Sequence, residues 1–204
     1  MKNIEVHIDF SCPFSYIGGE RMIQFLENTK TPLTTVRFRS FQLQPNDDNS
    51  HTSYITNRFK ASGMKNINEY RDFFNNGIGR AASTIGLKYD VDTIISVNSI
   101  HAHMGLQYAT LQGKQAEYFR KVMSGHFEQG EDFYDFAFIE RVLNDLSLNV
   151  NAFRRQKEEM KQNVGSDIAL AAKRGVNSVP TFYQDDKIVL QGTGSFEEFE
   201  EFML

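Results

Sequence analysis

Cysteine occurs once in this chain, in the run Asp9-Phe10-Ser11-Cys12-Pro13-Phe14-Ser15, and its surroundings are those that make a thiol reactive. Ile4, Val6, Ile8 and Phe10 alternate with polar residues, the period of a strand. Pro13 cannot continue a sheet, but it suits the first position of a helix, where its missing N–H would be unpaired anyway. Cys12 is then the N-cap, with its sulfur beside free backbone N–H groups and the positive end of the helix dipole. A thiol of pKa about 8.5 can fall to roughly 3.5–7.5 in such a place, which predicts a thiolate at neutral pH. The competing reading of a lone cysteine is a small buried hydrophobe.

Other groups carry less. His7, His51, His101, His103 and His126 have no metal-ligand company. His101 and His103, two apart on a predicted helix, point to different sides and do not chelate, so no metal site is predicted. Asp9 is either a proton shuttle or a solvated edge. Gly192-Thr193-Gly194-Ser195 reads as the cap of a last helix, and also as a loop able to cradle a carboxylate on helix N–H groups. Glu197, Glu198, Glu200 and Glu201 read as a solvated face, and the phenylalanine clusters as core.

Positioning these residues requires the following elements. A helix covering Tyr16 to Asn28 is broken by Thr31-Pro32, and Thr34 to Leu43 alternates as a second strand. That completes a βαβ unit, before the loop Asn46-Asp47-Asp48-Asn49-Ser50. From about 51 to 163 the pattern is wholly helical. One helix closes at Gly63, another opens with an Asn66-x-x-Glu69 cap, a third spans Val97 to Leu111 and stops at Gly113, and Asp135 caps a later one. Separate helices are predicted through Phe153 to Val164 and from Val164 to Arg174, the latter ended by Gly175. Residues 178–183 and 187–191 flank Gln184-Asp185-Asp186 as a hairpin, and a helix with Phe196, Phe199 and Phe202 closes the chain.

The 204 residues, 40% hydrophobic and 24% charged, are ordinary for a globular protein and suit one domain with a large insertion or two domains. A net charge of -4 without basic blocks argues against nucleic-acid or anionic-membrane binding. One cysteine forbids an internal disulfide. No apolar leader or spanning run is visible, so a reducing cytoplasm is the expected location.

A strand feeding Cys12-Pro13-Phe14-Ser15, a helical block, and Gly175-Val176-Asn177-Ser178-Val179-Pro180-Thr181-Phe182 before a hairpin together resemble the thioredoxin-fold DsbA family. The FrnE-type branch looks nearest, and the chain is also similar to kappa-class glutathione transferases and hydroxychromene-carboxylate isomerases. Supporting pieces are Ile8-Asp9-Phe10, Tyr16-Ile17-Gly18, Ser40 to Pro45, Asn98 to His103, and His126-Phe127 to Gly130. The resemblance implies an α/β thioredoxin fold, residues 1–50 with 164–204, interrupted by an all-helical insertion over 51–163. It implies a cis Val179-Pro180 bond packed against Cys12, although the residues alone read as trans, since only about 5–6% of X-Pro bonds in folded proteins are cis. It further implies that the backbone of Val179 pairs with an extended thiol peptide by strand addition.

One departure matters. The family's redox sites read Cys-x-x-Cys, whereas Ser15 stands at the second position and cannot resolve a mixed disulfide. The implied activity is therefore thiol–disulfide exchange by Cys12 alone, with Ser15 and Pro180 completing the catalytic group. Pro13, Phe14, Val179, His103 and Asn98 are the expected substrate contacts. No tightly bound cofactor is implied. Glutathione or another small thiol would be cosubstrate, and a disulfide-containing peptide or small thiol would be substrate. The resemblance leaves room for a homodimer. A glutathione-dependent transferase or isomerase, and a non-catalytic thiol- or peptide-binding module, are the alternative readings.

Overall fold

The structure, a computed structural model, describes residues 4–46, 49 and 51–203. Met1 to Asn3 lie outside the described residues, as do Asp47, Asp48 and Ser50 of the predicted loop. At its centre is β1, Ile4–Ile8, with β2, Val36–Ser40, parallel on one side and β5, Thr181–Gln184, antiparallel on the other. β6, Lys187–Gln191, completes the order β2-β1-β5-β6. The β5–β6 hairpin turns at Asp185 and Asp186, both at positive φ. Between β1 and β2 runs α1, Pro13–Asn28, followed by a short 3-10 turn at Leu33–Thr35. The second strand is thus shorter than the predicted Thr34 to Leu43.

The segment after β2 is mostly helical: α2 (Tyr54–Ser62), α3 (Ile67–Phe74), α4 (Arg80–Ser83), α5 (Ile100–Leu111), α6 (Gln115–Gln129) and α7 (Phe136–Asp145). The predicted caps are present. Asn66 accepts from the Glu69 N–H, Asp135 from the Ala137 N–H, and Gly63 takes positive φ at the end of α2. The segment is not wholly helical, however. Thr52–Ser53 (β3) and Ile95–Ser96 (β4) form a two-stranded antiparallel ribbon, too short to print a period of two on the sequence. Gly77 and Gly79 lie in a π turn, Asn75–Gly79, joining α3 to α4. The third predicted helix starts at Ile100 and not at Val97.

The two helices predicted to meet at Val164 are one: α8, Val150–Lys173, 24 residues capped by Asn149, about 36 Å long. No proline or competing cap interrupts it, and Gly165 inside a helix costs only about 1 kcal/mol. The expected domain boundary between 163 and 164 therefore falls inside a single element. Helix α9, Phe196–Met203, closes the described chain.

Phenylalanine builds the core: Phe10, Phe74, Phe119, Phe127, Phe133, Phe153, Phe182 and Phe199 are fully buried. Helix α1 lies close on α6 because position 19 is glycine; a Cβ there would meet Phe119 Cζ at 2.3 Å. Overpacking of this kind costs about 1–3 kcal/mol. Gly19→Ala is accordingly expected to lower the urea midpoint with an unchanged m-value, and an unaltered midpoint would mean that the two helices part freely.

β1 is buried on both faces. Ile4, Val6, Ile8 and Phe10 face one layer, while Glu5, His7 and Asp9 face α8 and α5. Glu5 pairs with Arg39 and Arg174. Asp167 of α8 accepts from Arg39 Nη1 at 2.9 Å, the Ser40 N–H at 3.0 Å and Gln107 Nε2 at 2.7 Å.

Candidate functional site

The end of β1 turns through a Cys12 N–H to Asp9 carbonyl bond of 3.0 Å. Cys12, in extended conformation, then caps α1 with Pro13 in the first turn. The Ser15 and Tyr16 N–H groups donate to the Cys12 carbonyl at 3.0 and 3.3 Å. Across the chain, Cys12 Sγ lies 3.5 Å from the Val179 carbonyl oxygen, and the Val179–Pro180 peptide is cis. Gly18 admits the proline: a Cβ at that position would stand 2.7 Å from Pro180 Cγ. The first turns of α1 and the loop entering β5 are thus seated on each other around the sulfur. Phe14 and Leu43 are exposed, at 44% and 43%.

The expected thiolate is not what this arrangement favours. Cys12 is buried, and burial pushes its thiol up; the Ser15 N–H, the Ser15 hydroxyl and the Phe14 N–H oppose the shift, and the Asp9 carboxylate adds to it. Withdrawing the anion from water here outweighs the pull of the helix N-terminus. Ser15 Oγ accepts the Asp9 N–H at 3.2 Å, which leaves its proton for the sulfur. Iodoacetamide labelling of Cys12 is therefore expected to be slow at pH 6 and to climb beyond pH 9. A rate already flat below pH 8 would show that the dipole wins.

Asp9 is not a solvated edge. Fully buried, it accepts from the Ser11 N–H at 3.1 Å and the Leu43 N–H at 2.7 Å, and His103 Nε2 stands 3.6 Å away. Burial pushes its carboxyl up, but His103, the Leu43 N–H and the Ser99 hydroxyl outweigh that and hold it below the usual range. Asp9 so ties the 41–46 segment and α5 to the turn that carries Cys12.

Two of the expected substrate contacts are structural here. His103 is completely buried, edge-on to Phe10 at 5.0 Å. Asn98 Oδ1 accepts from Gln42 Nε2 and the Ile100 N–H, and its Nδ2 donates to the Pro45 carbonyl. Their polar atoms serve the protein and not a ligand. Pro13 is buried and its carbonyl accepts the Tyr89 hydroxyl at 2.6 Å. The 192–195 loop is closed on itself: Ser195 N–H donates to Glu198, the Glu198 N–H donates back to Ser195 Oγ, and Arg21 holds Thr193 and Gly194. It is a cap and not a cradle.

Beside the cysteine opens a cleft of about 150 Å³, whose wall includes Ser11, Leu43, Tyr54, Arg58, Val97 and His126. Tyr54 is near enough to Cys12 for their charges to act on one another. Arg58 and His126 were not singled out as site residues from the sequence; nothing in local spacing marks an exposed arginine on α2 or a histidine late in α6 as neighbours of Cys12. Among the described residues, no group of His, Cys, Asp and Glu is arranged to hold a metal, and no helix is long and apolar enough to cross a membrane.

The model of a protein family described as DSBA-like thioredoxin domain matches residues 3–203. No curated protein is similar enough to count as a match. Among solved structures, one described as a probable DsbA oxidoreductase from Streptomyces coelicolor is 23% identical, with TM-score 0.85 over 98% of this chain and 88% of that one. A 2-hydroxychromene-2-carboxylate isomerase is 16% identical, with TM-score 0.70 over 98% and 93%. The cytosolic disulfide reductase DsbM from Pseudomonas aeruginosa is 15% identical, with TM-score 0.62 over 98% and 96%. At these identities the likeness is one of fold.

Proposed function

The chain belongs to the DSBA-like thioredoxin domain family, and from that premise we propose that it catalyses thiol–disulfide exchange through Cys12 alone. The thiolate sulfur of Cys12 attacks a disulfide, forming a mixed disulfide while the departing thiolate takes the electron pair of the broken S–S bond. Ser15 offers no second sulfur. A second, external thiol of the glutathione type then attacks the mixed disulfide and restores Cys12, as suits a reducing, cytoplasmic setting. The substrate chain would lie along the Val179 backbone by strand addition, between the exposed Phe14 and Leu43. The observation that carries this reading is the 3.5 Å approach of Cys12 Sγ to the Val179 carbonyl oxygen. Intact mass after incubation with oxidised glutathione tests it. One glutathione should add to Cys12 and be removed by reduced thiol, and an unmodified protein after long exposure at pH 9 would overturn the proposal.

The raised Cys12 thiol favours a second reading. A protonated Cys12 would donate to the sulfur of bound glutathione and activate it for conjugation or isomerisation. Activity retained in Cys12→Ser belongs to that reading, since a hydroxyl also donates; exchange cannot survive the change.

A further inference from the structure

Three features lie outside the mechanism above: the charged cluster around Glu5, the exposed Phe73 and Leu111, and the cleft beside Cys12. The cluster is internally paired, and nothing indicates what would cover the two apolar side chains. The cleft carries an argument. Arg58 is exposed on its wall, with its guanidinium carbon 5.3 Å from the Tyr54 ring centre. Among the described residues no carboxylate pairs with it, unlike Arg39, Arg71, Arg120, Arg141, Arg154 and Arg174. The other basic side chain on the wall is His126. Its Nδ1 faces the Glu131 carbonyl at 3.0 Å, so that nitrogen carries the proton. Burial lowers the ring's pKa to about 4, so the imidazole is neutral at working pH. Arg58 is therefore the positive charge of a cleft otherwise walled by Leu43, Tyr54 and Val97. Close by, the Asp9 carboxylate opposes the approach of any anion to Cys12; a guanidinium on the wall counters that field.

We propose that the cleft selects small thiols and disulfides bearing a carboxylate, which Arg58 holds while their sulfur meets Cys12. The proposal rests on the exchange reading and names its cosubstrate by charge. The reaction is the one already given: Cys12 thiolate and R–S–S–R yield the mixed disulfide Cys12–S–S–R and the thiolate R–S⁻.

The test measures the rate at which Cys12 is modified, by intact mass, with three symmetrical disulfides: the dianion dithiodipropionate, neutral 2-hydroxyethyl disulfide and the dication cystamine. The dianion should react faster than the dication in spite of the chain's negative net charge. In Arg58→Gln the dianion should slow roughly three- to tenfold, the scale of an exposed charge-assisted contact. The neutral reagent should keep its rate, and Arg58→Lys should recover part of the loss. Equal slowing of all three reagents, or no preference for the dianion in the unmodified protein, overturns the proposal and leaves exchange standing. Failure of all three to react brings down the exchange reading itself, and this proposal with it.

Discussion

Cys12→Ser is expected to remove disulfide exchange altogether, a fall of roughly 10⁴-fold or more, the scale on which loss of a covalent nucleophile is felt elsewhere. Its fold should persist, because a serine hydroxyl fits the same space and can donate to the Val179 carbonyl that the thiol now faces at 3.5 Å. The complementary change is Ser15→Cys. Ser15 is buried one helical turn from Cys12 and already bonds its sulfur. A thiol there should attack the mixed disulfide from within and make release of the first product independent of added small thiol. Stopped-flow release measured against thiol concentration reads this directly: a positive slope for the unmodified protein, a flat line for Ser15→Cys. A slope retained in Ser15→Cys would mean that position 15 is not in line for attack.

The second large effect is acid unfolding. Burial, with the Arg174 guanidinium, lowers His7 to about 4, Asp167 and Glu5 pulling upward and Arg39 adding to the fall; burial lowers His126 to about 4 as well. In the unfolded chain both rings titrate near 6.5. Above that pH neither state holds the extra protons. Between 6.5 and 4 the unfolded state binds them and the folded state does not, so stability falls as pH falls, and the loss is complete below 4. At 1.36 kcal/mol per unit, each ring accounts for on the order of 3 kcal/mol, against a total of about 5–15 kcal/mol for a typical domain. Urea midpoints should therefore drop steeply from pH 7 to pH 4.5, and His126→Gln should remove about half of the drop. A midpoint level across that range would refute the assignment.

What the sequence discloses is local. Pro13 marks the helix start at Cys12 because a missing N–H is tolerated only there. Asn66, Asp135 and Gly63 announce helix ends through bonds made within a few residues. What it conceals is set by distant packing. Alternation in β1 makes Glu5, His7 and Asp9 look solvent-facing, yet α8, beginning about 140 residues later, covers that face. The state of the Cys12 thiol is likewise decided by burial under the loop that carries Val179, which the helix-cap argument does not weigh. Asn98 and His103 stand where polar residues could meet a ligand, but their partners are Gln42, Pro45 and Asp9, none of them visible from neighbouring positions.

Helix α8 runs unbroken from Phe153, deep among the helices, to Asp167, which grips β2 at Arg39 and Ser40. A rod shared in this way leaves no joint on that side of the molecule. Widening of the entrance for a bulky guest must come from the opposite side, by displacement of the strap between β2 and α2 that the Asp9 carboxylate fastens at Leu43. The acid beneath the sulfur thereby doubles as the latch of its own doorway.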